Sequence, residues 1–359
     1  MHNREQFINT FTLLGKFLRQ FPARTLNDAP ELAALNNAFY EPLQSTLDRE
    51  HLENPWFTTQ WLDQAILGIA QMLEEDVMQR WLGAYNLTPP SPGKEKTVGL
   101  VLAGNIPLVG FHDMLCVLAS GHRILAKPSS KDERLVRKMA EVIIAIDPEM
   151  GERITFKDEQ LSGMDAVIAT GSDNSARYFE YYFRDIPHII RKNRNGVALL
   201  TGDESEDDLE GIGRDIFTYF GLGCRNVTKI YVPDGYDLKV FMGVMDRFHH
   251  LGQHHKYANN VEYYRSIYLM NLQEFLDNGV LLLKEDSSIA SPVGVVFYER
   301  YSELAALEQQ LKAAEEEIQC TVTIASGITG GLPPGTTQQP MPWDYADGVD
   351  TISFLTKLR

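Results

Sequence analysis

The sequence predicts an α/β protein built from parallel sheets with crossover helices, preceded by a helical N-terminal region. Three observations carry this. The chain has 359 residues, enough for two or three domains, with 44% hydrophobic and 23% charged residues, ordinary globular values. Residues 1–87 carry apolar positions at helical spacing. From Thr97 onward, short apolar runs alternate with helix-like stretches, the pattern of strand–helix–strand units.

Taken in order, Leu62, Ile66, Ile69, Leu73, Val77 and Trp81 recur at steps of three or four, painting one apolar face along a single helix. Gly83 lies just past its expected end. Residues 88–96, Thr-Pro-Pro-Ser-Pro-Gly-Lys-Glu-Lys, break structure and read as a turn or short linker. Strands are expected at 97–103, 123–127, 164–170, 197–201 and 228–232, with helices at 107–120, 131–145, 174–183 and 206–220. Ser130 with Glu133 fits a capping box opening the second of these helices. The acidic run Asp203-Glu204-Ser205-Glu206-Asp207-Asp208 reads as the negative start of the fourth, which the helix dipole favours. Further on, 293–298 and 321–325 read as strands flanking a charged helix at 302–318. Residues 327–342 read as an exposed loop, and the alternating 349–356 as a final strand. No internal repeat is present.

A formal net charge of -16 opposes binding to nucleic acid or to an anionic membrane, both of which need clustered Lys and Arg. The three cysteines, Cys116, Cys224 and Cys320, are no disulfide framework and fit a reducing compartment. The N-terminal stretch lacks a signal-peptide core, and no window reaches membrane-span length. A soluble, cytoplasmic protein is expected.

Four short motifs carry chemistry. In Phe220-Gly221-Leu222-Gly223-Cys224-Arg225-Asn226, a cysteine sits at a glycine-rich turn between a helix and a strand. That suits a nucleophile whose sulfur must meet a carbonyl carbon, and Arg225 would favour the thiolate; the plain alternative is a small buried hydrophobe. In Gly104-Asn105-Ile106-Pro107, Asn105 is either an oxyanion donor at a sheet edge or a turn residue bonding its own backbone. In Ala126-Lys127-Pro128-Ser129-Ser130, Lys127 either donates to ribose or phosphate or is a solvated surface lysine. In Ala169-Thr170-Gly171-Ser172, a glycine turn opens a helix, where free N–H groups suit phosphate; an ordinary Ser N-cap is the alternative. The dinucleotide fingerprint G-x-G-x-x-G is absent here.

Cys116 falls in an apolar helix and reads as core, while Cys320 sits at the end of a charged helix, with no partner in sequence. His250 and His254 share the i, i+4 spacing that can hold a metal, but without H-E-x-x-H a polar active-site or surface helix is the better reading. No metal is expected. Tyr257, Tyr263, Tyr264 and Tyr268 line an apolar channel or are core.

Read together, the order GNIP, KPSS, ATGS, GLGC between about Val98 and Ser326 resembles the aldehyde dehydrogenase superfamily, and within it the LuxC-like fatty acyl-CoA reductase branch. Asn-Pro-Trp-Phe-Thr at 54–58 also looks like that branch. The resemblance implies an aldehyde-dehydrogenase-like fold of two doubly wound α/β domains with a helical N-terminal region. Residues 1–190 would hold the nucleotide cofactor, 191–340 the nucleophilic cysteine, and 341–359 a C-terminal strand for oligomerisation. By the same resemblance Cys224 is the nucleophile and Asn105 the oxyanion amide. Lys127, Ser129, Ser130, Gly171 and Ser172 bind the cofactor.

Three departures refine this. Hydrolytic members carry a glutamate base that releases an acid, whereas Ile186 to Gly202 contains no Asp or Glu, which favours a reductive, CoA-acylating member. NAD-preferring members often place a glutamate three residues after the cofactor lysine; here Ser130, followed by Lys131, would accept a 2′-phosphate, so NADPH is expected. A family glutamate facing the nicotinamide ribose is replaced in register by Ser288, with Glu285 out of step. The expected activity is NADPH-dependent reduction of a medium- or long-chain fatty acyl-CoA, or an acyl-protein, to the aldehyde through a Cys224 acyl-enzyme. A homodimer is expected, with an acyltransferase or ligase as partner. The alternatives are another thiol-dependent semialdehyde or acyl-phosphate reductase, or an inactive scaffold on the same fold.

Overall fold

A computed structural model describes residues 4–87, 90–91 and 93–358. The expected linker at 88–96 therefore lies partly outside the described residues, at 88, 89 and 92. The chain divides into two units, Met1–Lys192 with Pro340–Arg359, and Asn193–Gln339.

The first unit begins with helices, among them Arg4–Leu18, Glu41–Glu53, Thr59–Met72 and Glu75–Gly83. The apolar stripe from Leu62 to Trp81 is buried throughout, but it spans two helices rather than one. Glu74 leaves the helical region (ψ 143°), and the next helix restarts with Glu75 and Asp76 in its first turn. The acidic run at 74–76 is a better helix start than a helix middle, because the dipole favours negative charge there. Thr58, from the 54–58 motif, caps the first of the two helices by accepting from Trp61 N–H.

Five parallel strands follow: β1 Thr97–Val101, β2 Arg123–Lys127, β3 Ile154–Phe156, β4 Ala166–Thr170 and β5 His188–Arg191, in the order β3-β2-β1-β4-β5. Val98, Leu100, Ala126, Ala166, Val167, Ile168 and Ala169 are almost fully buried, as a sheet covered on both faces requires. Helix Glu133–Ile146 starts from Asp132, which makes no side-chain bond to its own helix. The expected Ser130–Glu133 capping box does not form, because Ser130 stays in the turn two residues before that start.

The C-terminal segment is a helix, Thr351–Leu355, not the expected strand. Asp350 caps it by accepting from the N–H and the hydroxyl of Ser353, and Ile352 and Leu355, three apart, are fully buried. Helical burial of these two outweighs the alternation along 349–356. The segment packs on helix Phe111–Ala119, and Thr351 Oγ1 accepts from Arg191 Nη2, whose other arm pairs with Asp113 at 2.6 Å.

In the second unit the described residues form β6 Asn195–Leu199, β7 Val227–Pro233, β8 Leu276–Asp277, β9 Leu282–Glu285, β10 Val295–Tyr301 and β11 Ile318–Thr323, ordered β11-β6-β7-β10-β9-β8. All neighbours run parallel except β8 against β9. Helix Glu206–Phe217 opens with a capping box between Ser205 and Asp208, so the acidic run does start a helix. Cys320 lies within β11 rather than at the end of the helix, which stops at Ala313. No helix among the described residues is long and apolar enough to cross a membrane.

Candidate active site

In the first sheet the chain moves from β1 to β2 on one side and later reaches β4 on the other. The switch point of this order therefore lies between β1 and β4, and ligands of open α/β sheets bind outside the carboxyl ends of the strands there. The loop after β1 carries Asn105, and the turn after β4 carries Gly171 and Ser172. Lys127 ends neighbouring β2, with Ser129 and Ser130 just beyond it. The first unit thus brings six of the expected residues to one sheet edge.

Each has a local reason to be there. Gly171 backs onto its own helix: a Cβ would lie 2.8 Å from Ser175 Cβ and 3.0 Å from Phe179 Cε2. Ser172 is the N-cap of helix Asp173–Phe183, accepting from Ser175 N–H. Ser129 is half-buried and shapes its turn, its hydroxyl accepting from Lys131 N–H and its carbonyl from Asp132 N–H. Ser130 and Lys131 are exposed. Lys127 is half-buried, and among the described residues its ammonium has no ion-pair partner.

Cys224 lies in the second unit, three residues before Val227 opens β7, at the amino-terminal edge of that sheet. It is half-buried and in no disulfide among the described residues. The turn that carries it is built in an unexpected way. Helix Glu206–Phe217 ends, and Tyr219, Phe220 and Gly221 follow at φ 54°, 57° and 76°. Two consecutive bulky residues in the left-handed region are costly. The fully buried Asn226 side chain holds the reversal. Its Nδ2 donates to the carbonyls of Asp215 (2.9 Å), Ile216 (3.2 Å) and Thr218 (2.8 Å), and its Oδ1 accepts from Gly223 N–H at 2.7 Å. One amide thus satisfies carbonyls left open at a helix end and sets the residue before Cys224. Gly196 of β6 lets this turn come close: a Cβ there would lie 2.8 Å from Arg225 O and 2.9 Å from Asn226 O. The Cys320 thiol donates to Arg225 O at 3.7 Å; burial pushes it up to about 12, with Cys224 adding to the rise and Arg225 opposing it. Cys116 is fully buried, and burial holds its thiol well above the ordinary range.

Phe220 stacks on His254 with ring centroids 4.3 Å apart. His254 Nδ1 accepts from Tyr257 N–H as the N-cap of helix His255–Met270, so this histidine serves the fold of the cysteine turn. Among the described residues no group of three or more His, Cys, Asp or Glu could hold a metal. Tyr257 and Tyr268 are core, whereas Tyr263 is 60% exposed.

Residues 327–342 are irregular yet anchored. Asp215, on the helix ahead of the cysteine turn, accepts from Gly335 N–H, Thr337 N–H and Thr337 Oγ1, and Thr337 is fully buried. Burial pushes the Asp215 carboxyl up to about 6 against these hydrogen bonds, which pull it down. A carboxyl raised from about 4 in the unfolded chain to about 6 in the fold binds protons more tightly when folded. Its contribution is therefore present below pH about 4 and lost as pH climbs through about 6, by at most about 3 kcal/mol. Melting wild type and Asp215→Asn between pH 4 and 7 should show the difference in Tm, wild type minus variant, shrinking as pH rises; a flat difference would contradict the assignment.

Asn226, Asp215 and the Glu285 and Ser288 region separate what pattern reading can and cannot find. Asn226 was in the motif, but its role needs the helix end above it. Glu285 ends β9 and accepts from Tyr298 OH at 3.4 Å, while Ser288 N–H donates to Asp286, whose carboxyl is drawn down to about 2 chiefly by Lys284.

The model of the acyl-CoA reductase (LuxC) family matches residues 17–245. No curated protein matches the sequence. Among solved structures, Mycobacterium tuberculosis aldehyde dehydrogenase complexed with NAD+ superposes with a TM-score of 0.61 at 14% identity, covering 90% of this chain and 75% of that one. An oxidoreductase from Marinobacter aquaeolei gives 0.65 at 12%, covering 91% and 74%. An E. coli NADP dependent enzyme gives 0.58 at 14%, covering 91% and 78%. With most of its length matched by one family and its fold shared with aldehyde dehydrogenases, the chain belongs to the acyl-CoA reductase (LuxC) family, and it is an oxidoreductase.

Proposed function

We propose that this protein reduces a medium- or long-chain fatty acyl-CoA to the aldehyde with NADPH, through a thioester on Cys224. The observation that carries the reading is that the family match at 17–245 spans Asn105, Lys127, Ser129, Ser130, Gly171, Ser172 and Cys224 together. In the proposed reaction the Cys224 thiolate attacks the thioester carbonyl, the carbon–sulfur bond to CoA breaks, and CoA departs to be protonated by solvent. Asn105 Nδ2 donates to the oxyanion, a contribution of about 3 kcal/mol per donor. The hydride would come from NADPH when it is bound at the residues named below. Cys224 is released as thiolate when the aldehyde leaves. The span without Asp or Glu from Ile186 to Gly202 supports reduction over hydrolysis.

The residues present fit such a cofactor. The Lys127 ammonium, without an ion-pair partner among the described residues, suits ribose or phosphate, and Ser172 opens an eleven-residue helix whose N-terminus suits a pyrophosphate. Ser130 and Lys131 are exposed and the turn's carboxylate, Asp132, is buried, so the turn after β2 presents no carboxylate to solvent, which favours a 2′-phosphate. A homodimer and an acyltransferase or ligase partner are proposals resting on the resemblance, since the C-terminal segment is a helix rather than a pairing strand.

The test is oxidation of NADPH and of NADH by the purified protein across acyl-CoAs from acetyl to palmitoyl. Turnover should be highest with medium or long chains and NADPH. Ser130→Glu should lower kcat/KM for NADPH at least about tenfold while sparing NADH, the size of one charge contact of about 1.4 kcal/mol or more. Equal use of both nucleotides by wild type would overturn the cofactor assignment. Turnover only with an acyl-phosphate would overturn the acyl donor.

A further inference from the structure

Asp132 occupies the N-cap position of helix Glu133–Ile146, yet its carboxylate does not cap that helix. Its Oδ2 instead accepts from Leu108 N–H at 2.8 Å, across 24 residues of sequence. Leu108 stands in the left-handed region at φ 56° and is buried. A leucine there is strained, and such conformations persist only where surroundings impose them. The same two loops meet again at Gly104, where a Cβ would lie 2.7 Å from Ser129 Oγ. The 54–58 motif completes the lock: Asn54 is buried, its Oδ1 accepts from Trp56 N–H, and its Nδ2 donates to Lys131 O at 3.3 Å. Asn105 therefore sits in a loop held on one flank by Gly104 on Ser129 and on the other by Leu108 on Asp132.

Asp132 itself is 1% exposed, and its Oδ1 has no hydrogen-bond partner among the described residues. Glu50, also 1% exposed, is a second buried acid near it, its carboxyl raised chiefly by its own burial, with Oε2 likewise unpartnered among the described residues. Arg134 and Glu53 act on Glu50 in turn. A buried acid without a cation in contact is expensive to keep, and an apolar residue with Leu108 elsewhere in the map would be cheaper. Retaining it is explained by what it holds.

We propose that Asp132 is a positioning residue for the reaction: through Leu108 N–H it fixes the 104–110 loop and with it the Asn105 amide. This rests on the oxyanion role given to Asn105 above. Asp132 touches neither substrate nor cofactor, so its loss should reach kcat through Asn105 while leaving nucleotide affinity alone.

The experiment measures kcat, KM for the best acyl-CoA, and NADPH Kd for Asp132→Ala, Asp132→Asn, Asn105→Ala and the double variant Asn105→Ala/Asp132→Ala. Rates are expressed per NADPH-binding site, so that unfolded protein does not count. Asp132→Ala should lose ten- to a hundredfold in kcat with Kd within about threefold. Asp132→Asn, which keeps an acceptor for Leu108 N–H, should recover most of it. The double variant should be no slower than Asn105→Ala alone, because the two act through one amide. Wild-type kcat in Asp132→Ala beside a crippled Asn105→Ala, or an Asn variant as slow as the Ala variant, overturns the proposal and leaves the Asn105 reading standing. Wild-type kcat in Asn105→Ala sinks that reading and the proposal with it.

Discussion

Cys224→Ala is expected to abolish aldehyde formation, by at least about 10⁴-fold in kcat, because removing the proposed nucleophile removes the covalent route rather than weakening it. The fold should survive. The turn is held by Asn226 and by the backbone of Gly223, and Cys224 is only half-buried, so the cost should stay near about 1 kcal/mol. Nucleotide binding should also survive, since the residues proposed to hold the cofactor, Lys127, Gly171 and Ser172, belong to the other unit. The decisive readout is transfer of label from acyl-CoA to protein, which should vanish in Cys224→Ala and persist in Cys116→Ala. Cys116 is buried in an apolar helix, and its thiol is held far above the reactive range. Cys320→Ala is the sharper control, because its thiol reaches the carbonyl of Arg225, the residue after Cys224. Labelled acyl-enzyme in Cys224→Ala would move the nucleophile elsewhere.

How far these features were readable from sequence depends on whether they are local. Strands β1, β2, β4, β6 and β7 are central and buried on both faces, so each shows as an apolar run. β3 and β5 have three and four residues at the sheet edges, where Thr155 and His188 are exposed and no run forms. The capping box was expected at Ser130–Glu133 and occurs at Ser205–Asp208. Both fit the spacing, and only the second has its serine at the residue where the backbone turns helical. The C-terminal strand failed for a related reason: Asp350 and Ser353 make a helix cap that alternation hides. At the site, glycine turns and the order of four motifs were visible. The two holding residues were not. Asn226 acts on carbonyls eight to eleven residues away, and Asp132 on Leu108 at 24, and neither distance carries a spacing signal.

Asn226 is where the largest loss of stability is expected. Its amide makes four hydrogen bonds while fully buried. Asn226→Ala leaves three carbonyls and the Gly223 N–H without it, and each buried group left unsatisfied costs about 1–3 kcal/mol. Partial relaxation and water entry would cut that sum, so a loss of about 3–5 kcal/mol is expected, a large share of a typical domain's stability. Asn226→Asp should be worse at neutral pH. The side chain keeps its shape and its acceptor for Gly223 N–H, but a buried carboxylate oxygen would then face three carbonyl oxygens. Unlike Ala, the Asp variant should regain stability on acidification, because the protonated acid restores one donor. Below pH about 5 the gap between the two variants should therefore narrow or reverse, as read by chemical denaturation of each. The chemistry follows the fold here. With the clamp gone, Tyr219 and Phe220 are free to leave the left-handed region, so the Cys224 thiol should alkylate faster and with several rates, while acyl transfer falls. An Asn226→Ala protein that melts within about 1 kcal/mol of wild type and acylates at the normal rate would show that the left-handed residues, with Phe220 stacked on His254, hold the turn by themselves.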